Sequence, residues 1–415
     1  MVQGPEIERE FSSLFPPVKV KNIRHIIFLK DVLLLTLAAF GGPQAHLALF
    51  QKILVKKRAY ISEEDLIDLN SFCQILPGPA STQTLTAIGF KIGGPRLAFL
   101  TLLVWILPTC ILMTLAAIGI TYWLDVVTLT RISRFIEPMA VALVMYAAYR
   151  IGRMVVKTKT SYVIFVISAV VCFFVPTPAI FPIVLLLGGL ATTFRWKKQQ
   201  VEKIKEEWNI QWANLILFVG IFLGSALLGQ LTEALPIRLF ENFYRNGSLI
   251  FGGGDALSAY FYKEFVEFKG LLTKDQLLTG FAIQKTLPGP LFSFSSYVGA
   301  LAMKQYGLPG LICGGIIGAA GIFLPGTILI FFLIRIWDKL KQNRVVKASL
   351  EGINAASAGV VTATGLVLFW PIMDLPTAEA FTNVLIIVAT VAVLIFTKVP
   401  PPYIILVGLL AGLIV

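Results

Sequence analysis

Few residues in this sequence of 415 suit catalysis or metal binding. It has two histidines and four cysteines, and charged side chains make up 14% of it, where a soluble domain has about 25%. The cysteines stand singly in apolar sequence, at spacings that suggest neither a disulfide framework nor a zinc site. A nucleophile elbow, a His-Glu-x-x-His pair and a Walker loop are all missing. We therefore expect neither an enzyme nor an ATP-driven pump, and no metal or other cofactor.

The sequence contains long hydrophobic segments instead. Hydrophobic residues make up 57% of it, and Leu97–Trp123, Trp212–Leu231 and Gly310–Ile336 are each long enough to cross a bilayer. The net charge is +12, but Lys and Arg cluster in loops beside the apolar runs, which is the positive-inside pattern of membrane proteins. We therefore expect the lipid bilayer as a partner and no nucleic acid. Residues 1–29 lack the apolar core of a signal peptide and are predicted to be a cytoplasmic N-terminal segment.

One motif occurs twice, 211 positions apart. Phe40-Gly41-Gly42-Pro43 matches Phe251-Gly252-Gly253-Gly254, and Leu76-Pro77-Gly78-Pro79 matches Leu287-Pro288-Gly289-Pro290 in the same register. Gly and Pro inside apolar segments break helices. Paired broken helices at corresponding places in two membrane halves indicate the binding site of a transporter.

Each Pro-Gly-Pro turn predicts the start of a new helix, because two prolines forbid a continuous one. Unpaired N–H groups and the helix dipole at such a start attract an anion. Two starts facing each other near the middle of the bilayer would form a cage for a small tetrahedral oxyanion. The alternative is that the prolines kink packed helices and the glycines permit close helix contact. The substrate-binding residues predicted here are Pro77, Gly78, Pro79, Ser81, Thr82, Gln83, Pro288, Gly289, Pro290, Ser293 and Ser295.

The glycine breaks supply a second pair of helix ends. They add Gly41, Gly42, Gln44, Gly252, Gly253 and Gly254 to the predicted site, and Lys285 adds a fixed positive charge. Asp255, which matches Gln44, is a candidate proton carrier because a carboxylate inside a membrane is costly unless it is functional. Glu137 and Glu351, which match at an offset of 214, are further candidates. For all three carboxylates the alternative is a helix cap.

Six apolar segments are predicted in each half. In the first half they are Asp31–Leu54, Leu66–Lys91, Leu97–Trp123, Phe135–Tyr149, Ser161–Val175 and Ala179–Phe194. Trp212–Leu231 has no counterpart in the other half, so the chain has up to thirteen segments. Because six segments and one connecting helix precede the second half, that half begins on the opposite side of the membrane and is inverted. The predicted units are residues 1–29, a first repeat at 30–196, a basic linker with the connecting helix at 197–241, and a second repeat at 242–415. The predicted fold is therefore an all-α polytopic membrane protein, with two homologous halves in inverted topology and broken, re-entrant helices.

The charge pattern supports the inversion. The loop after Phe135–Tyr149 is basic, whereas its counterpart at 371–380 carries only Asp374 and Glu379. This reversal is what the positive-inside rule requires of an inverted repeat. We expect Arg153, Lys198 and Lys341 on the cytoplasmic side of an inner plasma membrane, together with the N-terminus, and Asp374 on the outer side.

Together these strings resemble the chromate ion transporter family, whose members have two homologous halves. The resemblance covers nearly the whole chain from about Lys30 and rests on residues 40–46, 76–83, 251–254 and 287–292. It implies export of chromate, a structural mimic of sulfate, driven by the membrane potential or by antiport in the proton gradient. Gln83 stands where many members have Glu, which leaves sulfate or another oxyanion open as the substrate. A passive anion channel on the same scaffold and assembly as a homodimer also stay open.

Overall fold

The computed structural model describes residues 20–40, 42–123, 126–175, 180–196, 212–250, 254–334, 344–373, 375–397 and 399–414. All regular structure in these ranges is helical. This confirms the predicted all-α class.

The described part of the first half contains seven α-helices. They are α1 (Val20–Ala38), α2 (Pro43–Phe50), α3 (Glu63–Ile75), α4 (Ala80–Tyr122), α5 (Val126–Val155), α6 (Lys159–Phe174) and α7 (Ile180–Trp196). Helix α2 continues as a π-helical stretch, Gln51–Lys57. Helix α4 is kinked at Gly94, where φ is 75°.

Helix α8 (Trp212–Thr232) connects the halves. The second half comprises α9 (Leu235–Leu249), α10 (Gly254–Phe261), α11 (Lys274–Thr286), α12 (Phe294–Ala302), α13 (Gly307–Leu333), α14 (Arg344–Met373), α15 (Thr377–Phe396) and α16 (Pro401–Ile414). A π-helical stretch, Tyr262–Phe268, follows α10. Short 3-10 turns, Leu291–Ser293 and Lys304–Tyr306, lie on either side of α12.

The 211-position register of the sequence holds for whole helices. Helix α2, its π-helical stretch and α3 begin and end 211 positions before α10, its π-helical stretch and α11. Helices α3 and α11 both begin at a hydroxyl cap. The side chain of Ser62 accepts a hydrogen bond from the amide of Asp65, and the side chain of Thr273 accepts one from the amide of Gln276. Both helices end at a leucine in extended conformation, Leu76 and Leu287, because a residue before proline avoids the helical conformation. The two halves thus share one local fold around the breaks.

Six described helical stretches are long and apolar enough to cross a bilayer. They are Ala80–Tyr122, Phe135–Val155, Trp212–Thr232, Lys304–Leu333, Ala348–Met373 and Thr377–Phe396. The predicted segment Asp31–Leu54 is divided between Ala38 and Pro43, and Leu66–Lys91 is divided by its Pro-Gly-Pro turn. Helices α2, α3, α10 and α11 have 8 or 13 residues, so each is too short to cross alone.

The halves interlock rather than stand side by side. Helix α14 of the second half packs against α5, α6 and α7 of the first, and α12 and α13 pack against α4. The contact with α7 brings backbones together, since a Cβ added at Gly352 would collide with the carbonyl of Gly188. Small residues permit this close approach of membrane helices. The broken helices of both halves consequently meet in the interior.

Candidate functional site

Both Pro-Gly-Pro turns have their glycine at positive φ. The angle is 103° at Gly78 and 108° at Gly289, in the region that favours glycine. A Cβ added at Gly289 would collide with the hydroxyl of Thr109, and one added at Gly78 would lie 3.3 Å from the carbonyl of Gly247. Both turns therefore require glycine for the backbone conformation and for close packing.

Each turn is bonded to the helix break of the other half. The amide of Gly78 donates to the carbonyl of Ile250 at 2.8 Å, and the amide of Gly289 donates to the carbonyl of Ala39 at 2.8 Å. The two donors are 211 positions apart, and so are the two acceptors. Each contact is repeated with the halves exchanged, as a two-fold relation between them requires.

Four helix starts line one small cavity, which we call the central cavity. Its volume is about 10 Å³, close to the minimum for one water molecule. The starts are those of α2, α4, α10 and the 3-10 turn before α12, and the lining residues are Pro43, His46, Pro79, Ala80, Ser81, Gly254, Pro290, Leu291 and Phe292. The structure thus brings together both kinds of break that the sequence repeats.

Main-chain groups supply much of the positive potential there. Gln83 is the first residue of α4 whose amide bonds back to the turn, donating to the carbonyl of Pro79 at 2.9 Å. The amides of Ala80, Ser81 and Thr82 precede it, so they have no acceptor within the helix. These N–H groups and the dipole of a long helix make this start suitable for an anion.

His46 lies in the wall of the central cavity with both ring nitrogens engaged. Its Nε2 is 3.2 Å from the carbonyl of Ala39, and its Nδ1 is 3.1 Å from the hydroxyl of Ser81. A carbonyl can only accept, so Nε2 carries the hydrogen, and the neutral ring accepts the Ser81 hydroxyl hydrogen at Nδ1. Ser81 therefore offers its main-chain N–H to the cavity while its hydroxyl donates to the histidine.

Two glutamines hold the two turns. The amide nitrogen of Gln83 donates to the carbonyl of Pro77 at 2.8 Å, and that of Gln284 lies 3.5 Å from the carbonyl of Pro290. Both side-chain oxygens are buried with no hydrogen-bond partner. Gln83, predicted as an anion ligand, thus uses its donor on the turn. The sequence pattern missed Gln284, because Cys73 occupies the matching position of the first half.

Three other predicted hydroxyls are buried and have partners within the protein. Thr82 accepts from the indole N–H of Trp105 at 3.1 Å. Ser295 donates to the carbonyl of Phe292 at 2.9 Å, and Ser293 accepts from the thiol of Cys110 at 3.4 Å. These side chains fix the helices around the central cavity, and the main chain at the helix starts faces it.

Lys285 lines a second cavity, which we call the lateral cavity. Its volume is about 50 Å³, room for about three or four groups of the size of water. Gly42, Gly289 and Leu291 form part of its wall, and Arg150 of α5 contributes a second cation. The ammonium of Lys285 lies 5.0 Å from the centre of the Phe281 ring, within cation–π range.

Two of the carboxylates predicted to carry protons, Glu137 and Glu351, contact residues at the starts of neighbouring helices. Glu137 is 2.5 Å from the ammonium of Lys274, the first residue of α11. Glu351 accepts from the hydroxyl of Thr158 at 2.6 Å, and Thr158 is the N-cap of α6. Both glutamates are absent from the residues lining the central and lateral cavities.

Several predicted residues lie outside the described part of the chain. They are Gly41, Gly252, Gly253, Lys198, Lys341 and Asp374, together with the side chains of Gln44 and Asp255. The main chain of Gln44 is in the first turn of α2, and that of Asp255 is in the first turn of α10. Both positions therefore follow helix starts that line the central cavity.

Comparison with known proteins identifies related chains. A family model described as "Chromate transporter" matches residues 27–193 and again residues 237–413. A "Chromate transport protein" of Pseudomonas aeruginosa is 27% identical over 79% of this chain and 77% of its own. A "Probable chromate transport protein" of Synechococcus elongatus is 24% identical over 90% of this chain and 91% of its own. An uncharacterized transporter of Methanocaldococcus jannaschii is 24% identical over 82% of this chain and 84% of its own. No solved structure matches the chain.

Proposed function

This chain belongs to the chromate transporter family, and we propose that it carries chromate, or a related divalent oxyanion, through the central cavity. The family membership and the six apolar helical stretches make it a multi-pass membrane transport protein. The single observation that carries the proposed route is the convergence of four helix starts on one cavity. Helix starts bind anions through unpaired N–H groups and the dipole, and Pro and Gly breaks create these starts.

The small size of the central cavity is consistent with alternating access. About 10 Å³ is too little for four oxygens around a central atom, since one water already needs about that much. Substrate entry therefore requires the helix starts to separate on one side. We propose that the two halves are inverted relative to each other and that this arrangement lets the two sides open in turn, as in transporters built from inverted repeats.

Export of the anion is favoured by the membrane potential. Moving one elementary charge through 100 mV is worth about 2.3 kcal/mol, so a divalent anion that leaves a cell with a negative interior gains about 4.6 kcal/mol. We propose export across the plasma membrane with the N-terminus on the cytoplasmic side. The basic residues Arg150 and Arg153 at the end of α5 support this orientation by the positive-inside rule.

Proton coupling is proposed at Asp255. The main chain of this residue is in the first turn of α10, whose start lines the central cavity. A carboxylate inside a membrane is costly unless it is functional, so this position suits a group that takes up and releases protons. Glu137 and Glu351, by contrast, are engaged by Lys274 and Thr158 at other helix starts.

Flux in proteoliposomes tests the proposal. Purified protein is reconstituted, pH and voltage gradients are imposed separately, and uptake of radiolabelled chromate and sulfate is followed. We expect saturable chromate flux that sulfate inhibits and that accelerates when the destination side is made positive. Protein-free vesicles give the background rate.

A matched pair of variants ties the flux to the Pro-Gly-Pro turn beside the central cavity. Gly289→Leu places a side chain at positive φ against Thr109, and we expect it to abolish flux. Gly220→Leu is the control, because a Cβ at Gly220 meets nothing within 4 Å. Folded wild-type protein without saturable chromate flux would overturn the function. Flux that is insensitive to the pH gradient and does not saturate would identify a channel.

A further inference from the structure

The lateral cavity brings together two cations from different halves of the protein. Arg150 reaches it from α5, and Lys285 reaches it from the last turn of α11. No acidic side chain is among the described residues that line it, and Tyr146 contributes a phenol group. Both cations make other interactions within the protein, which hold the side chains in place. A partly enclosed space with two cations and low-dielectric walls concentrates anions.

One leucine stands between this cavity and the central cavity. Leu291 lines both cavities. Its Cδ1 would be 3.7 Å from a Cβ at Gly42, and a Cβ at Gly254 would collide with the Leu291 side chain. Leu291 therefore fills the space between the two glycine breaks, and an anion in the lateral cavity is one side chain away from the four helix starts.

The cation pair is present on one side of the repeat only. At the 211-position offset, Gln74 corresponds to Lys285 and Ala80 corresponds to Leu291. At the 214-position offset between Glu137 and Glu351, Thr364 corresponds to Arg150, and at the 218-position offset between the bounds of α5 and α14 the corresponding residue is Leu368. The place related to the lateral cavity by exchange of the halves thus has neither the two charges nor the leucine. The cation pair therefore distinguishes the two approaches to the central cavity.

We propose that Arg150 and Lys285 form a capture site for a divalent tetrahedral oxyanion, outside Leu291 on the way to the central cavity. This proposal rests on the proposed function and adds to it two residues that select for charge. The guanidinium of Arg150 offers a planar fork suited to two oxygens of such an anion, and Lys285 adds a point charge. The basic loop that follows α5 is predicted to be cytoplasmic, so the site would collect the anion from the cytoplasm.

Initial rates of chromate uptake into proteoliposomes test the capture site. The variants are Arg150→Gln and Lys285→Gln, with Arg153→Gln as the matched control, because Arg153 lies one helical turn further on and donates to Tyr149. We expect both test variants to raise KM at least tenfold while kcat stays within twofold, and the control to match the wild type. We also expect the wild-type KM to rise with ionic strength and the dependence to weaken in the test variants, since salt screens the lost charge.

A second set of measurements separates charge from structure. Arg150→Lys keeps the charge and loses the planar fork, so we expect its KM to lie between those of the wild type and Arg150→Gln, and thermal unfolding shows whether each variant is folded. An unchanged KM in folded Arg150→Gln and Lys285→Gln would overturn the capture site and leave the proposed function standing. An equal rise in KM in Arg150→Lys and Arg150→Gln, with the dependence of KM on ionic strength unaltered in both, would also overturn the capture site. Wild-type protein that does not transport chromate would defeat the proposed function itself.

Discussion

The main-chain N–H of Gly289 donates a 2.8 Å hydrogen bond to the carbonyl of Ala39 in the opposite half of the protein. Gly78 makes the equivalent bond to Ile250 at the same length. In each case the acceptor lies two residues before the first glycine of the break in the other half. The halves cannot separate at the central cavity without losing these bonds. Opening on one side is therefore coupled to the position of the turn that belongs to the other half.

Alanine at either turn glycine is expected to weaken chromate binding. A side chain at φ above 100° costs about 1 to 3 kcal/mol, and about 1.4 kcal/mol corresponds to tenfold in affinity. We expect Gly78→Ala to lose about tenfold and Gly289→Ala to lose more, because its Cβ would also collide with the hydroxyl of Thr109. Equilibrium binding of labelled chromate to purified protein measures both.

The same binding measurement includes a control and a double variant. Gly220→Ala adds a methyl group in open space and is expected to bind like the wild type. Since both turns contribute to one site, the double variant of Gly78 and Gly289 is expected to be little worse than Gly289→Ala alone. Additive losses of stability with native affinity would instead show that these glycines serve packing only.

The repeat and its turns could be predicted because they leave a local signal. Proline forbids the helical hydrogen bond at its own position and restricts the residue before it. The two prolines of each Pro-Gly-Pro turn together end a helix, whereas single prolines such as Pro108 and Pro325 lie inside helices. Glycine between two prolines then predicts the positive φ observed at Gly78 and Gly289. Such rules act within a few residues and need no knowledge of the tertiary packing.

The partners across the site could not be predicted in the same way. The pairing of His46 with Ser81 depends on how α2 packs against α4, and the bond from Thr109 to the carbonyl of Pro288 joins residues 179 positions apart. Gln284 holds its turn from the preceding helix, whereas Gln83 holds the other turn from the following helix. The repeat therefore conserves the geometry of the turns while different positions supply the glutamine.

Substituting glutamate for Gln83 is expected to make binding pH-dependent. The amide nitrogen of Gln83 donates to the carbonyl of Pro77, and a protonated carboxyl in the Gln83→Glu variant can do the same. The ionised form has no hydrogen to donate and adds negative charge near the anion. Chromate affinity of the variant is therefore expected to fall as pH rises through the pKa of the new carboxyl group.

The pH experiment compares variant and wild type at each pH, so that titration of the ligand itself cancels. We expect the ratio of the two affinities to be close to one at low pH and to reach at least tenfold above the transition. A ratio that does not change with pH would show that the hydrogen bond to Pro77 is dispensable for binding.

His46 is expected to support the helix starts without carrying protons. Its ring bridges Ala39 and Ser81 and packs edge-on against Trp105 with ring centres 5.3 Å apart. His46→Phe leaves a buried carbonyl and hydroxyl without their partner, which costs about 1 to 3 kcal/mol each. We expect a lower unfolding temperature and an unchanged pH profile of transport in the surviving folded fraction. A pH profile that becomes flat in His46→Gln, which retains a donor, would instead make this histidine a proton carrier.

Single-cysteine labelling tests the topology. Cysteines substituted at Arg153, Lys198 and Lys341 are expected to react with an impermeant thiol reagent from the cytoplasmic side, and a cysteine substituted at Asp374 from the outer side. The background needs Cys313 replaced first, because it is exposed while the other three native cysteines are buried. Protection of Asp374 and Arg153 from the same side would show that the halves are not inverted.

The ion pair between Glu137 and Lys274 is expected to hold the two halves together rather than to couple transport to protons. Glu137 belongs to α5 of the first half and Lys274 begins α11 of the second, and their side chains are 26% and 22% exposed. A pair of this kind contributes on the order of 1 kcal/mol. We expect Glu137→Gln and Lys274→Gln each to lower the unfolding temperature and to leave the dependence of flux on the pH gradient intact.

Exchanging the two charges separates the structural role from proton coupling. The double variant Glu137→Lys with Lys274→Glu restores an ion pair across the same contact, so we expect it to recover stability relative to either single glutamine variant. A proton carrier needs its carboxyl at one place on the route, and moving it to the other helix would not restore its function. If Glu137→Gln and the exchanged pair both abolish proton-driven flux while Lys274→Gln preserves it, Glu137 carries protons and the structural assignment is wrong.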